Sequence, residues 1–306
     1  MRLSSSFTQH RFLTGFLVAT AAILPAYAQT PPVTARTLIA QIVAANAAPP
    51  VPNTVDTIKA GDPDTPVTGI ATTFMDTYEV LQKAVAAGDN LIITHEPTFY
   101  NHVDDRTLFP GDPVVAAKLA YINAHHLVVW RFHDGWHRHQ PDGILDGEVT
   151  ALGWASYQQT GPATDPHLFH LPPTTVGALA ATLQAQLSSP VVRVVGDPAT
   201  PVTNVALLPG ASGLVKQVAM LERADVQVLV AGESAEWEAV EYVRDAAALA
   251  RAGKGEPKAL ILLGHEPSEE AGMRYCATWL RTILPGIKID FIPAGSPFTA
   301  VATARH

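Results

Sequence analysis

The sequence predicts an α/β protein. Short apolar runs of strand length alternate with longer segments of helical periodicity. Three of the apolar runs end in histidine, at the edge where open α/β sheets build their sites. Of the 306 residues, 47% are hydrophobic and 16% charged, enough apolar surface to offset the ordering entropy of a packed core. That length allows one large domain or two modest lobes.

The first segment reads as an export address. Residues 1–28 are MRLSSSFTQHRFLTGFLVATAAILPAYA. Arg2 and Arg11 form a positive front to an uncharged apolar run at 12–24. Pro25 and Ala26-Tyr27-Ala28 supply a breaker and a small-x-small cleavage site, the layout of a secretory signal peptide. The run is too short to span a bilayer comfortably, and no other stretch approaches the roughly 18 apolar residues of a transmembrane helix. No Cys follows the run and no Arg-Arg pair precedes it. The general secretory route is therefore expected, with a periplasmic or secreted mature protein free of the membrane. Cleavage removes two arginines and no acid, taking the net charge from -8 to -10. Such a charge argues against nucleic acid as the main partner. The single cysteine, Cys276, excludes an internal disulfide framework and a Cys-based zinc knuckle.

The remaining elements follow in order. Leu38, Ile39, Ile42 and Val43 predict a helix over 34–46, and a second over 78–87 is stopped by Gly88. NLIIT at 90–94 is a buried strand by its short apolar run. A helix over 113–124 has Pro113 in its first turn, and LVVWRF at 127–132 is the next strand. A polar stretch runs on to about Pro166. The Pro-rich segment 161–173 is the expected connection between lobes of about 29–165 and 166–306. Next come a helix at 174–187, strands at 191–195, 205–208 and 226–230, a helix at 235–252 and a strand at 259–263. The last helix, 268–284, sets Met273, Cys276, Ala277, Leu280, Ile283 and Leu284 on one face, and a strand at 287–292 closes the set.

The histidines are unevenly spread. Seven of the 12 lie between residues 95 and 139, where even scatter would place roughly two. NLIIT runs into His95, LVVWRF into His133, and ALILL, turning at Gly264, into His265. Each is followed by more ligand-type side chains: Glu96, then His137, then Glu266 and Glu269. Imidazoles and carboxylates gathered on one rim have the donors of a first-row metal site, suiting Zn, Mn, Fe or Co. His125 and His126 end a helix, where a cation or donor is favourable, and read as structural. His139, His167 and His170 read as loop residues. The i, i+4 spacing of His133 and His137 suits a helical pair, yet Gly135 and the preceding strand argue against a helix there. His95, His137 and His265 form the core of the expected metal set.

These segments resemble a known family. LIITHEPTFY is similar to the strand-His-His-Pro-x-x-Phe signature of the NGG-one-interacting-factor-three-like (NIF-three-like) family, also called GTP cyclohydrolase I type 2 homologues. GHEPSEEAGMRYCATWL resembles its Gly-His-x-x-Thr-Glu-x-x-Gly segment, with Ser268 in place of Thr. FHDGWHRHQPDGI resembles its His-x-Asn-Leu-Asp-x-x-x-Gly-Gly-Val segment. NVALLPGASG resembles its strand-Gly-Gly-Ser-Gly turn, and VDTIKAGDPDTPVTGIATTF its early Val-Gly-Leu-x-x-Gly segment. The likeness runs in matching order from about residue 35 to the C-terminus.

The resemblance implies a two-lobed α/β fold, sheets flanked by helices, with a dinuclear metal centre in the cleft and commonly a toroidal homohexamer. By matching motifs, the metal ligands fall on His95, Glu96, His137, His265 and Glu269, and His133 on the family's nearby pocket histidine. Glu96 stands where the family has the second His of its pair, and His137 where it has Asp. Three histidines and two carboxylates are kept with two members exchanged, so Glu96 and His137 are expected to face one ion. GASG at 210–213 reads as a tight turn needing glycine rather than a phosphate nest. Glu233 either lines the cleft or is a helix N-terminal charge.

The function implied is a metal-dependent hydrolase outside the cytoplasm, acting on a small-molecule substrate with two divalent transition-metal ions. His133 and Glu266 are its proton-transfer candidates. Export takes the chain away from the GTP pool, so GTP cyclohydrolase activity is not expected. The alternative is a metal-binding or assembly protein without turnover, its homohexamer being the functional unit. N-terminal sequencing of the exported protein is expected to begin at Gln29. A mature chain still beginning at Met1 would remove the export reading.

Overall fold

The computed structural model describes residues 32–161 and 165–301; the segment 1–28 lies outside them. The chain runs α1 (Ala35–Asn46), β1 (Ile58–Ala60), β2 (Ile70–Thr73), α2 (Tyr78–Ala87), β3 (Leu91–Thr94), α3 (Pro113–Ala124) and β4 (Val128–Arg131). Then follow α4 (Asp134–His137), α5 (Gly143–Leu152), β5 (Leu168–Thr175), α6 (Val176–Gln186), β6 (Arg193–Val195) and β7 (Pro201–Leu208). It ends with α7 (Leu214–Leu221), β8 (Val228–Ala231), α8 (Glu241–Arg251), β9 (Ala259–Leu262), α9 (His265–Ile283) and β10 (Ile289–Phe291). Among the described residues, no helix is long and apolar enough to cross a membrane.

Strands β2, β3, β4, β8 and β9 are buried along their whole length. A strand apolar on both sides needs cover on both faces, which parallel sheets with crossover helices supply. Two five-stranded sheets result, ordered β1-β4-β3-β2-β10 and β5-β7-β8-β9-β6. In the first, β10, β2, β3 and β4 are parallel and β1 is an antiparallel edge. In the second, β7, β8 and β9 are parallel between antiparallel β5 and β6. The expected α/β architecture of two sheets flanked by helices is the one observed.

Four local expectations differ from the structure. α5 forms within the stretch read as polar, with Ile144, Leu145, Val149 and Leu152 buried. Part of the Pro-rich connection is strand β5. It survives Pro172 and Pro173 because it is an edge strand, and its register with β7 shifts between His170 and Thr174. Asp134–His137, read as non-helical, is one helical turn closed by His137 N–H donating to the His133 carbonyl at 3.0 Å. Its cap comes from far along the chain: Asp56 accepts the backbone N–H groups of His133, Asp134 and Gly135 at 2.7–2.9 Å. Finally, residues 287–292 do not stay with the second sheet. α9 leaves β9 and carries the chain back to the first, where Ile289 pairs with Ile70.

α9 is the longest helix described and joins the two sheets. Met273, Cys276, Ala277 and Leu280 pack into a core with Ile93, Trp130, Phe132 and Trp136. Its crossing with α5 is close because glycine meets glycine. A Cβ on Gly147 would lie 2.5 Å from Gly272 Cα, and one on Gly272 would lie 2.6 Å from Ile144 Cα. Gly147→Ala gains about 1 kcal/mol of helix propensity but overpacks a fixed backbone crossing, costing roughly 1–3 kcal/mol or more. Urea unfolding is expected to show net destabilisation; an unchanged or raised midpoint would mean the crossing relaxes freely.

Candidate metal centre

The carboxyl ends of both sheets supply the site. His95 and Glu96 follow β3, His133 follows β4, and His137 closes α4. From the second sheet, His265 and Glu269 occupy the first turns of α9, one helical turn apart, just past β9. The turn after β7 lies over them. A Cβ at Gly210, whose φ is +62°, would run into the Glu269 carboxylate and approach His265 Nε2 to 3.2 Å. Ser268 ties the two segments, accepting the Gly210 N–H at 2.9 Å and donating to the His265 carbonyl at 2.7 Å. GASG is thus a tight turn shaped by its neighbours.

Each of four imidazoles has its Nδ1 engaged away from the centre. His95 Nδ1 faces the Phe132 carbonyl at 3.3 Å, His133 Nδ1 faces Asp134 at 3.0 Å, and His137 Nδ1 faces Asp142 at 3.1 Å. His265 Nδ1 faces Glu233 at 3.5 Å, so Glu233 reaches the site through His265. For His95 and His133, an Nδ1 facing an acceptor carries the proton, which leaves Nε2 as the inward lone pair of a neutral ring. The Nε2 atoms converge on two carboxylates. Glu269 Oε2 lies 3.4 Å from His95 Nε2 and 3.1 Å from His265 Nε2, while its Oε1 lies 4.0 Å from His137 Nε2. Glu96 Oε1 lies 3.6 Å from Nε2 of both His133 and His265.

Two sets of donors are close enough to hold an ion: His95, His133 and His137, and His95, Glu96 and Glu269. His95 is common to both. Glu96 and His137 fall in different sets. His95 Nε2 and Glu269 Oε2 are buried and lack a hydrogen-bond partner among the described residues. Two lone pairs facing each other across 3.4 Å are unfavourable unless a cation or proton lies between them. Nitrogen and oxygen donors in this balance fit a divalent transition metal.

Charge follows burial and neighbours. Burial, then the charges of His133 and His137, hold His95 well below the ordinary imidazole range. Burial, then His137, takes His133 down to about 4 despite its bond to Asp134. Burial lowers His265, but its contacts with Glu233 and Glu269 and the charges of Glu269 and Glu96 outweigh it and raise it to about 10. Burial pushes Glu96 up to about 7, against the pull of His265.

Glu266 does not join this cluster. It lies one helical step from His265, beside Glu270, and is not among the residues lining the cleft. Burial and the Glu270 charge raise it to about 8. Three participants were not anticipated. Asp134 and Asp142 orient histidines, and Arg131 contacts Glu96. Arg131 had a visible signal, being a lone charge at the end of an apolar strand.

A family model for Duf34/NIF3 (NGG1p interacting factor 3) matches residues 53–296. The chain is similar in fold to Staphylococcus aureus protein SA1388, at 18% identity and a TM-score of 0.67 over 88% of this chain and 100% of that one. A Bacillus cereus protein related to NIF3 is 14% identical, with a TM-score of 0.69 over 89% of this chain and 100% of that one. Reduced HcgD from Methanocaldococcus jannaschii is 14% identical, with a TM-score of 0.60 over 85% and 97%. No curated protein matches the sequence. At these identities the structural likeness shows the fold.

An entering ion must displace the proton on His265, whose value is about 10, and the share of a proton on Glu96, whose value is about 7. Zinc uptake at pH 7 is therefore expected to release about one proton or more, and affinity to rise roughly tenfold per pH unit for each proton released. Calorimetric titration in buffers of different ionisation enthalpy measures both. Affinity independent of pH would mean His265 is not displaced from its carboxylates.

Proposed function

The chain belongs to the Duf34/NIF3 family, and on that premise we propose an exported protein with a dinuclear transition-metal centre that hydrolyses a small-molecule substrate. One observation carries the reading: four imidazole Nε2 atoms converge on two carboxylates while every Nδ1 is engaged elsewhere. His95, Glu96, His137, His265 and Glu269 would hold the ions, with His133 beside them. Glu269 is suited to serve both positions, since its two oxygens face different histidines.

Bound divalent ions supply Lewis acidity toward a phosphoryl or carbonyl oxygen. The chain's own groups do the rest. His133 is neutral at physiological pH and lines the cleft. Asp134 keeps the proton on its Nδ1, so Nε2 is the atom that accepts a proton from an incoming nucleophile. Glu266 faces Glu270 and has no part in this scheme. The cleft measures about 680 Å³, the size of small-molecule sites, and Leu145, Leu208, Pro209 and Met220 give it an apolar side.

The test is a screen of the zinc- or manganese-loaded protein on phosphoesters, amides and nucleotides. Turnover is expected to vanish with chelator and to fall at least about 100-fold in His265→Ala, the upper end of what loss of a supporting partner costs. Elemental analysis should show less metal in His265→Ala and Glu269→Ala. Metal-loaded protein without turnover, sedimenting as an intact homohexamer, would favour the assembly reading instead.

A further inference from the structure

Arg131 ends β4 and is fully buried. A guanidinium in that position needs a counter-charge and acceptors for its N–H groups. Its Nε donates to the His95 carbonyl at 2.9 Å and its Nη1 to the His102 carbonyl. Its Nη2 donates to Glu96 Oε2 at 3.3 Å. The other nearby acid, Asp104, lies 3.9 Å from Nη1 and is held more closely by Lys59, at 3.2 Å. Glu96 is thus the carboxylate that balances Arg131. Its second oxygen, Oε1, faces His133 and His265.

Resting on the metal-centre reading above, we propose that Arg131 positions Glu96 as a metal ligand and specifies a carboxylate at position 96. The guanidinium takes Oε2 and leaves Oε1 as the donor. A carboxylate has acceptors on both sides and serves both neighbours. A histidine there that turned one ring nitrogen toward an ion would turn an N–H toward the guanidinium, donor against donor. The exchange at position 96 therefore belongs with Arg131 behind it, which no shared ion with His137 is needed to explain.

Zinc titration of the full chain tests this in a cycle of wild type, Arg131→Gln, Glu96→Gln and the double variant. Arg131→Gln is expected to weaken zinc binding about tenfold or more when Glu96 is present. In the Glu96→Gln background it should cost less than about threefold, because the group it positions is gone. Equal losses in both backgrounds would mean that Arg131 only braces the loop through the His95 and His102 carbonyls, and would overturn the proposal. If Arg131→Gln does not fold, Arg131→Lys replaces it in the same cycle. A readout without metal comes from thermal unfolding of the apo protein. Glu96→His should lower Tm, and adding Arg131→Gln should restore part of the loss; no recovery counts against the proposal. Wild-type protein that binds no zinc overturns the metal-centre reading and this one with it, whereas zinc binding with equal losses overturns this one alone.

Discussion

A carboxylate buried among imidazoles is costly, and Glu269 is held in that state by the elements packed around it. Removing such a group from water costs several kcal/mol unless charge or hydrogen bonds compensate. The turn after β7 passes over it with a glycine where any side chain would collide. α9 lies so close to α5 that glycine faces glycine, which brings the start of α9 down to the first sheet's histidines. The nearby Glu148 carboxyl is fully buried on α5 and is raised well above the ordinary range, by burial first and by Glu269's charge second. Its shift favours the protonated form, which lessens the repulsion between the two carboxyl groups.

The same economy of parts recurs in the residues that fix local structure. Asp142 caps α5 with one oxygen, accepting from Ile144 and Leu145, and orients His137 with the other. Asp134 does likewise, accepting from Thr54 and the Val55 N–H through Oδ2 while Oδ1 holds His133. Because each carboxylate has two oxygens, a helix or loop contact and a histidine tautomer are set by one side chain. The geometry of the site is in this way inherited from the backbone rather than added to it.

Strands and the last helix were legible because their signals are local: unbroken apolar runs for β3, β4 and β9, and a stripe of apolar residues for α9. The histidines at strand ends were legible for the same reason. The turn Asp134–His137 was not, since its N-terminal cap is Asp56, remote in sequence. Nor was β5, whose prolines look like a linker until the strand is known to be an edge. Glu266 and Glu269 looked alike as acids following a strand end. The helical rotation that places Glu269 with His265 turns Glu266 toward Glu270. The partnership of Glu96 with Arg131 joins two neighbouring strands and leaves no trace in spacing along the chain.

The return of β10 to the first sheet bears on the order in which the molecule can assemble. Ile70 waits for Ile289, a partner roughly two hundred residues away, so β2 remains an open edge until nearly the whole chain is present. The second sheet has no such dependence, since all its strands lie within one continuous stretch from β5 to β9. Pairings this distant are slow to form because loop closure comes before any contact repays it. Completion of the first sheet therefore depends on α9, which brings β10 back and whose first turns carry His265 and Glu269. Closing the first sheet and completing the site thus both rest on one helix.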